Sequence, residues 1–133
     1  MGDLFATLFS YATLLSGLHS PVAPDVKFVP KEFFYHVACN DQPCPVMGWY
    51  PGTGNVVYVK DTLDLDNKIN DSIIVHEMVH YLQAQNNMYA VRSCVNSIAL
   101  ERQAYGVQKQ YLLQEGVIGN GVGLSVIAMH CEE

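Results

Sequence analysis

Positions 76 to 80 read His-Glu-Met-Val-His, two imidazoles four residues apart with a carboxylate directly after the first. Four residues make about one turn of an α-helix, so His76 and His80 would project from one face and could share a metal ion. Glu77 would sit about 100° further round, beside the metal's open position. The chemistry this predicts is hydrolysis. A metal lowers the pKa of a bound water towards about 7, and a carboxylate beside it can take the proton during attack on a carbonyl and return it to the leaving amine. Shuffling this composition would produce the pattern in roughly one chain per hundred, and its setting adds weight. Ile74, Val75, Met78, Val79 and Leu82 keep other charges away from the histidines. The bland alternative is a structural helix on which the three side chains make ordinary hydrogen bonds.

A third protein ligand is required, and few residues qualify. Gln83 and Asn86 occupy the positions three and six beyond His80 where an extended motif would carry Gly and His, and no aspartate follows Asp71. Glu101, Glu115, His130, Glu132 and Glu133 remain. Glu101 falls in line with Cys94, Ile98 and Tyr105, a stripe that reads as buried. A lone carboxylate in such a stripe is costly unless a cation compensates it.

At this point the sequence resembles the gluzincin metallopeptidases, in which HExxH on one helix is completed by a glutamate on the next, about twenty residues on. Twenty residues separate His80 from Glu101. The resemblance covers roughly residues 46 to 111 and is closest to very small relatives, the minigluzincins. It implies one zinc ion per chain held by His76, His80 and Glu101, with Glu77 as general base and acid and a peptide or protein as substrate. It also implies a zincin-like α+β fold, in which an edge strand at Val56 to Val59 and two helices carry the site. Two features depart from the larger members. Tyr105 stands where they often carry an aspartate, and the C-terminal subdomain that supplies transition-state donors is missing; Tyr105 could donate in its place, with Tyr50 another tyrosine available.

The elements that must position these residues are legible in part. The apolar positions Ile69, Ile73, Val79 and Leu82 predict a helix from about Lys68 to Gln85, capped by Asn67, Asn70 or Asp71 and stopped at Asn86-Asn87. A second long helix is predicted from Ser93 to about Glu115, with Gly116 just past its end. Two β-prone runs, Val46 to Tyr50 and Val56 to Val59, flank a Pro-Gly-rich turn, and with an alternating segment from Val26 they predict a small antiparallel or mixed sheet, read as a meander. The Asn55 to Lys60 strand is expected at the sheet edge, where it could hold an extended peptide. Residues 31 to 38 fit either a short helix or extended chain. Leu4, Leu8, Tyr11, Leu15 and Leu18 recur at helical spacing, which predicts an N-terminal helix backing the core. A glycine-rich loop, 116 to 123, leads into a short apolar segment.

The remaining composition bounds what the protein does. The 133 residues suit one domain, 1 to 133, with seven basic residues against thirteen acidic, a net charge of -6. Clustered Lys and Arg are lacking, which excludes nucleic acid as a partner. The apolar N-terminal stretch is interrupted by polar residues and falls short of the roughly 20 apolar residues of a membrane span; no signal peptide is visible. Four cysteines predict two disulfides, Cys39 with Cys44 around a turn-rich loop and Cys94 with Cys131 anchoring the tail, and hence a secreted or periplasmic location. His19 and His36 lie outside any ligand spacing, and Asp61, Asp64 and Asp66 read as a solvated loop. The leading function is a zinc metallopeptidase; the rival is a zinc-stabilised binding or inhibitory domain without turnover, and a distant third is hydrolysis of a non-peptide amide. Oligomeric state is not readable.

Overall fold

The structure, a computed structural model, describes residues 2–131. The elements run α1 (Gly2–Ser16), β1 (Asp25–Val29), α2 (Lys31–Ala38), β2 (Gly48–Trp49), β3 (Val56–Lys60), α3 (Lys68–Gln85), α4 (Cys94–Gln114) and a single-turn α5 (Leu124–Ile127). This is a small α+β fold with a three-stranded mixed sheet. The chain segment open between helix and strand is a helix, α2.

The sheet departs from a meander. Its order is β1-β3-β2, with β1 parallel to β3 in the register Asp25↔Val56 to Val29↔Lys60, and β2 antiparallel to β3 through Gly48↔Val59 and Trp49↔Tyr58. Proline explains much of this. Pro45 and Pro51 flank β2 and carry no N–H, so β2 is confined to two residues and offers β1 no ladder of useful length. Five-residue β1 therefore pairs with five-residue β3 instead. As a consequence β3, expected at the sheet edge, is the central strand, and the edges are β1 and β2.

Val57 and Val59 of β3 are fully buried against α3, which joins one apolar cluster with Leu8 and Ala12 of α1 and Ala104, Val107, Tyr111 and Leu112 of α4. The α1 helix packs on both α3 and α4, as expected of a backing helix. Tyr11 meets Tyr111 edge to face at 4.9 Å and Phe9 meets Tyr81 at 6.2 Å. Helix ends follow the sequence closely. The Asn67 side chain accepts from the amides of Ile69 and Asn70, and Ser93 Oγ accepts from Asn96 N. At the far end of α4, Gly116 adopts φ +78°, Gly116 N donates to the Leu113 carbonyl and Val117 N to the Leu112 carbonyl, a Schellman closure that only a residue tolerant of left-handed backbone makes cheaply. Cys39–Cys44 and Cys94–Cys131 are both disulfide-bonded, the second tying the C-terminal tail to the start of α4. These bonds are compatible with an extracellular or otherwise oxidising location. No described helix is long and apolar enough to cross a membrane.

Candidate metal centre

His76 and His80 lie one turn apart on α3 and Glu101 faces them from α4, so that one atom from each lies within 4.8 Å of the others. His76 Nε2 is 3.2 Å from His80 Nε2 and 3.4 Å from Glu101 Oε1, while His80 Nε2 and Glu101 Oε1 are in direct contact. Metal–ligand bonds of about 2.0–2.1 Å in a tetrahedron set ligand atoms about 3.3–3.4 Å apart. The two longer separations match that spacing.

The helix contact that brings Glu101 here runs through a neighbouring row of side chains. Leu100, Ala104, Val107, Gln108, Tyr111 and Leu112 are the α4 residues buried against the core, with Ala104 and Leu112 wholly enclosed. The Cys94–Ile98–Glu101–Tyr105 row, expected to be buried, is only half-buried at most, with Cys94 exposed. It runs along the rim of a cleft, where a ligand must stand to leave the ion reachable. Without a side chain larger than a methyl at Ala104, the helices approach closely enough for the three ligands to converge.

Hydrogen bonds on the outer side of each imidazole decide its tautomer. Gln83 Nε2 donates to the Leu100 carbonyl at 2.9 Å and to Gln103 Oε1 at 3.0 Å, which leaves Gln83 Oε1 to face His80 Nδ1 at 2.7 Å. Ser72 Oγ donates to the Ile69 carbonyl and accepts from Gln108 Nε2 at 3.0 Å, which leaves Gln108 Oε1 to face His76 Nδ1 at 2.9 Å. A carbonyl oxygen accepts only, so in both rings Nδ1 carries the proton and Nε2 presents a bare lone pair. Two lone pairs and a carboxylate oxygen thus converge with no proton of their own between them. Such a donor set calls for a cation.

Protonated at both nitrogens, the same rings would themselves supply the positive charge: burial pushes the Glu101 carboxyl up, but hydrogen bonds from His76 and His80, followed by the charge of the two rings, outweigh it and hold the group well below the usual carboxylate range. Burial likewise opposes charge on His80, yet the hydrogen bond to Glu101 and the charges of Glu77 and Glu101 raise its proton affinity.

Glu77 is mostly buried on the same face, its Oε2 4.0 Å from His76 Nε2, and it lines a cleft of roughly 390 Å³ together with the three ligands. Gly48 of β2 packs directly on it. A Cβ at position 48 would stand 3.2 Å from Glu77 Cγ and 2.9 Å from Ile73 Cγ2, so only glycine lets the edge strand lie this close to the helix. Tyr105 lies half-buried with its ring edge on His76, centroids 4.4 Å apart, and also lines the cleft. Tyr50 is buried, its hydroxyl donating to the Gly54 carbonyl at 2.8 Å.

The other candidates lie elsewhere. Glu115 pairs with Lys68 at 3.0 Å and accepts from Tyr11 at 2.8 Å. His130 is exposed beside the Ala128 carbonyl, His19 is exposed, and His36 pairs with Asp41 on the surface. Asp61, Asp64 and Asp66 are solvent-exposed. Glu132 and Glu133 lie outside the described residues. Sequence reading missed Gln83, Gln108, Ser72 and Tyr89, whose hydroxyl is 3.0 Å from His80 Nδ1. Gln83 and Gln108 left a signal: each is a polar residue within an otherwise apolar buried helix face.

Comparison with models of protein families, with curated proteins and with solved structures finds no match to this chain.

Proposed function

We propose that the protein is a zinc-dependent metallopeptidase of the gluzincin type, zincin-like in fold and acting outside the reducing cytoplasm. The observation that carries this reading is the convergence of His76 Nε2, His80 Nε2 and a Glu101 oxygen at the wall of a cleft that also holds Glu77. Two imidazoles and one carboxylate suit zinc, and three protein ligands leave the open position that catalytic zinc sites keep and structural ones fill. When bound, the metal would polarise a scissile carbonyl and acidify water.

The chain's own residues supply the rest. Gln83 and Gln108 hold both imidazoles in the tautomer that presents Nε2. Glu77 takes a proton from water on the cleft side and delivers it to the leaving amine. The outer edge of β2, at Gly48 and Trp49, offers backbone groups for an extended peptide alongside Glu77. Tyr105, which lines the cleft with its ring against His76, is the side chain we assign to donate a hydrogen bond to the developing oxyanion.

The test is Glu77→Gln. One zinc per chain should be retained with an unchanged melting temperature, while hydrolysis of a diverse peptide library falls by about 10²–10⁴. A zinc-loaded wild type that cleaves no peptide would turn the assignment to a zinc-stabilised binding domain.

A further inference from the structure

The cleft at the ligands does not end with them. A second cavity of roughly 490 Å³ adjoins it, and the two share Tyr50, Tyr89, Ser97 and Leu100 as walls. Together they form one groove with Glu77 in the wall of one half and Arg92, just before the start of α4, in the wall of the other. No other Lys or Arg lines either cavity. Among the described residues no carboxylate lies within ion-pair distance of Arg92.

That matters because of the charge everywhere else. The chain carries a net charge of -6, and the near half of the groove holds Glu77 and Glu101. An anionic ligand is disfavoured over most of this surface and favoured in the other half of the groove. The first turn of α4, capped by Ser93, adds potential of the same sign there. A guanidinium fork fits a planar carboxylate in two hydrogen bonds, which a lysine could not reproduce.

We propose that the second cavity is a substrate subsite in which Arg92 selects peptides bearing a carboxylate a few residues from the bond held at Glu77. Cleavage of that bond rests on the metallopeptidase reading; the selectivity of binding does not. The carboxylate could belong to an Asp or Glu side chain or to the C-terminus of a short peptide, since both present the same planar group.

A matched peptide set separates these sources: internal Glu against Gln, and free C-terminal acid against amide. Binding is measured to zinc-loaded Glu77→Gln protein through Trp49 fluorescence, and hydrolysis is measured with otherwise wild-type protein. Because Arg92 is exposed, the expected preference is about three- to tenfold for the carboxylate-bearing member, carried by Kd and KM, and lost in roughly 1 M salt. Arg92→Gln should abolish the preference and Arg92→Lys should keep part of it, with zinc content unchanged in both. Whichever pair shows the Arg92-dependent preference identifies the source of the carboxylate. Preferential binding without cleavage would sustain the subsite and sink the peptidase; cleavage with no charge preference, or a preference that survives Arg92→Gln, would overturn the subsite and leave the peptidase standing.

Discussion

Glu101 and Asp71 are two carboxylates on neighbouring helices, one half-buried and one fully buried, and their pKa values are displaced in opposite directions. Glu101, on α4, meets two imidazoles and is held well below the usual carboxylate range. Asp71, in the first turn of α3, is 1% exposed, its Oδ1 has no hydrogen-bond partner, and burial pushes its pKa up to about 6. Lys68 pulls the Asp71 value down while Asp66, Asp64 and Glu115 push it up again. Burial is common to both sites, so it cannot explain the difference. What differs is the partner: one end of the helix pair is built to receive positive charge and the other merely tolerates a carboxyl group.

The sharpest way to break this contrast is to remove the carboxylate that the ligand cluster uses. Glu101→Gln should weaken zinc binding by more than the roughly 10–100-fold typical of outer-shell changes, read by competition with a chromogenic chelator. Glu115→Gln should leave zinc affinity unchanged, because Glu115 is spent on Lys68 and Tyr11. Equal losses in the two variants would show that the cluster is not the metal centre.

Asp71 yields the next largest effect, and its sign is opposite to that of a paired carboxylate such as Glu101. Its folded pKa of about 6 lies above the ordinary 3.8, so between roughly pH 4 and pH 6 the native chain keeps a proton that the unfolded chain releases. Stability contributed by this group is complete below about pH 4, declines as pH rises through 6, and is flat beyond. The cost at neutral pH is up to about 3 kcal/mol. In chelator-treated protein, Asp71→Asn should gain on wild type by about that amount between pH 4 and pH 7. Urea midpoints that run parallel across this range would dismiss the unpaired-carboxyl account.

Most of what positions the site was legible because it is local. The spacing of His76 and His80, the Asn67 and Ser93 caps, and Gly116 past the end of α4 each depend on a few adjacent residues, and both long helices lie where their periodicity puts them. Both disulfide pairings follow from a short loop and an otherwise unanchored tail. The sheet order was less legible, since pairing β1 with β3 depends on how little ladder β2 can offer. Arg92 in the groove and Gly48 against Glu77 were invisible for the same reason: each acquires its role from a neighbour distant in sequence. Asp71 read as a helix cap, but Asn67 makes those bonds and α3 turns Asp71 inward.

Gln108 ties the ligand cluster to the start of α3 and gives the smallest expected effects. Its Oε1 accepts from His76 while its Nε2 donates to Ser72, the residue after Asp71. Replacing it with leucine keeps the volume, removes the acceptor that fixes the His76 tautomer, and frees the ring to present either nitrogen. Zinc affinity should fall by about 10–100-fold with the metal stoichiometry still one per chain. Gln108→Glu, which retains an acceptor at the same place, should recover part of the loss, an outcome that a purely packing role would not produce. Ser72→Ala removes only the support behind the glutamine and should cost less than Gln108→Leu on the same assay. If Ser72→Ala costs as much, the tautomer is set by the whole hydrogen-bonded chain that reaches from the Ile69 carbonyl through Ser72 and Gln108 to His76.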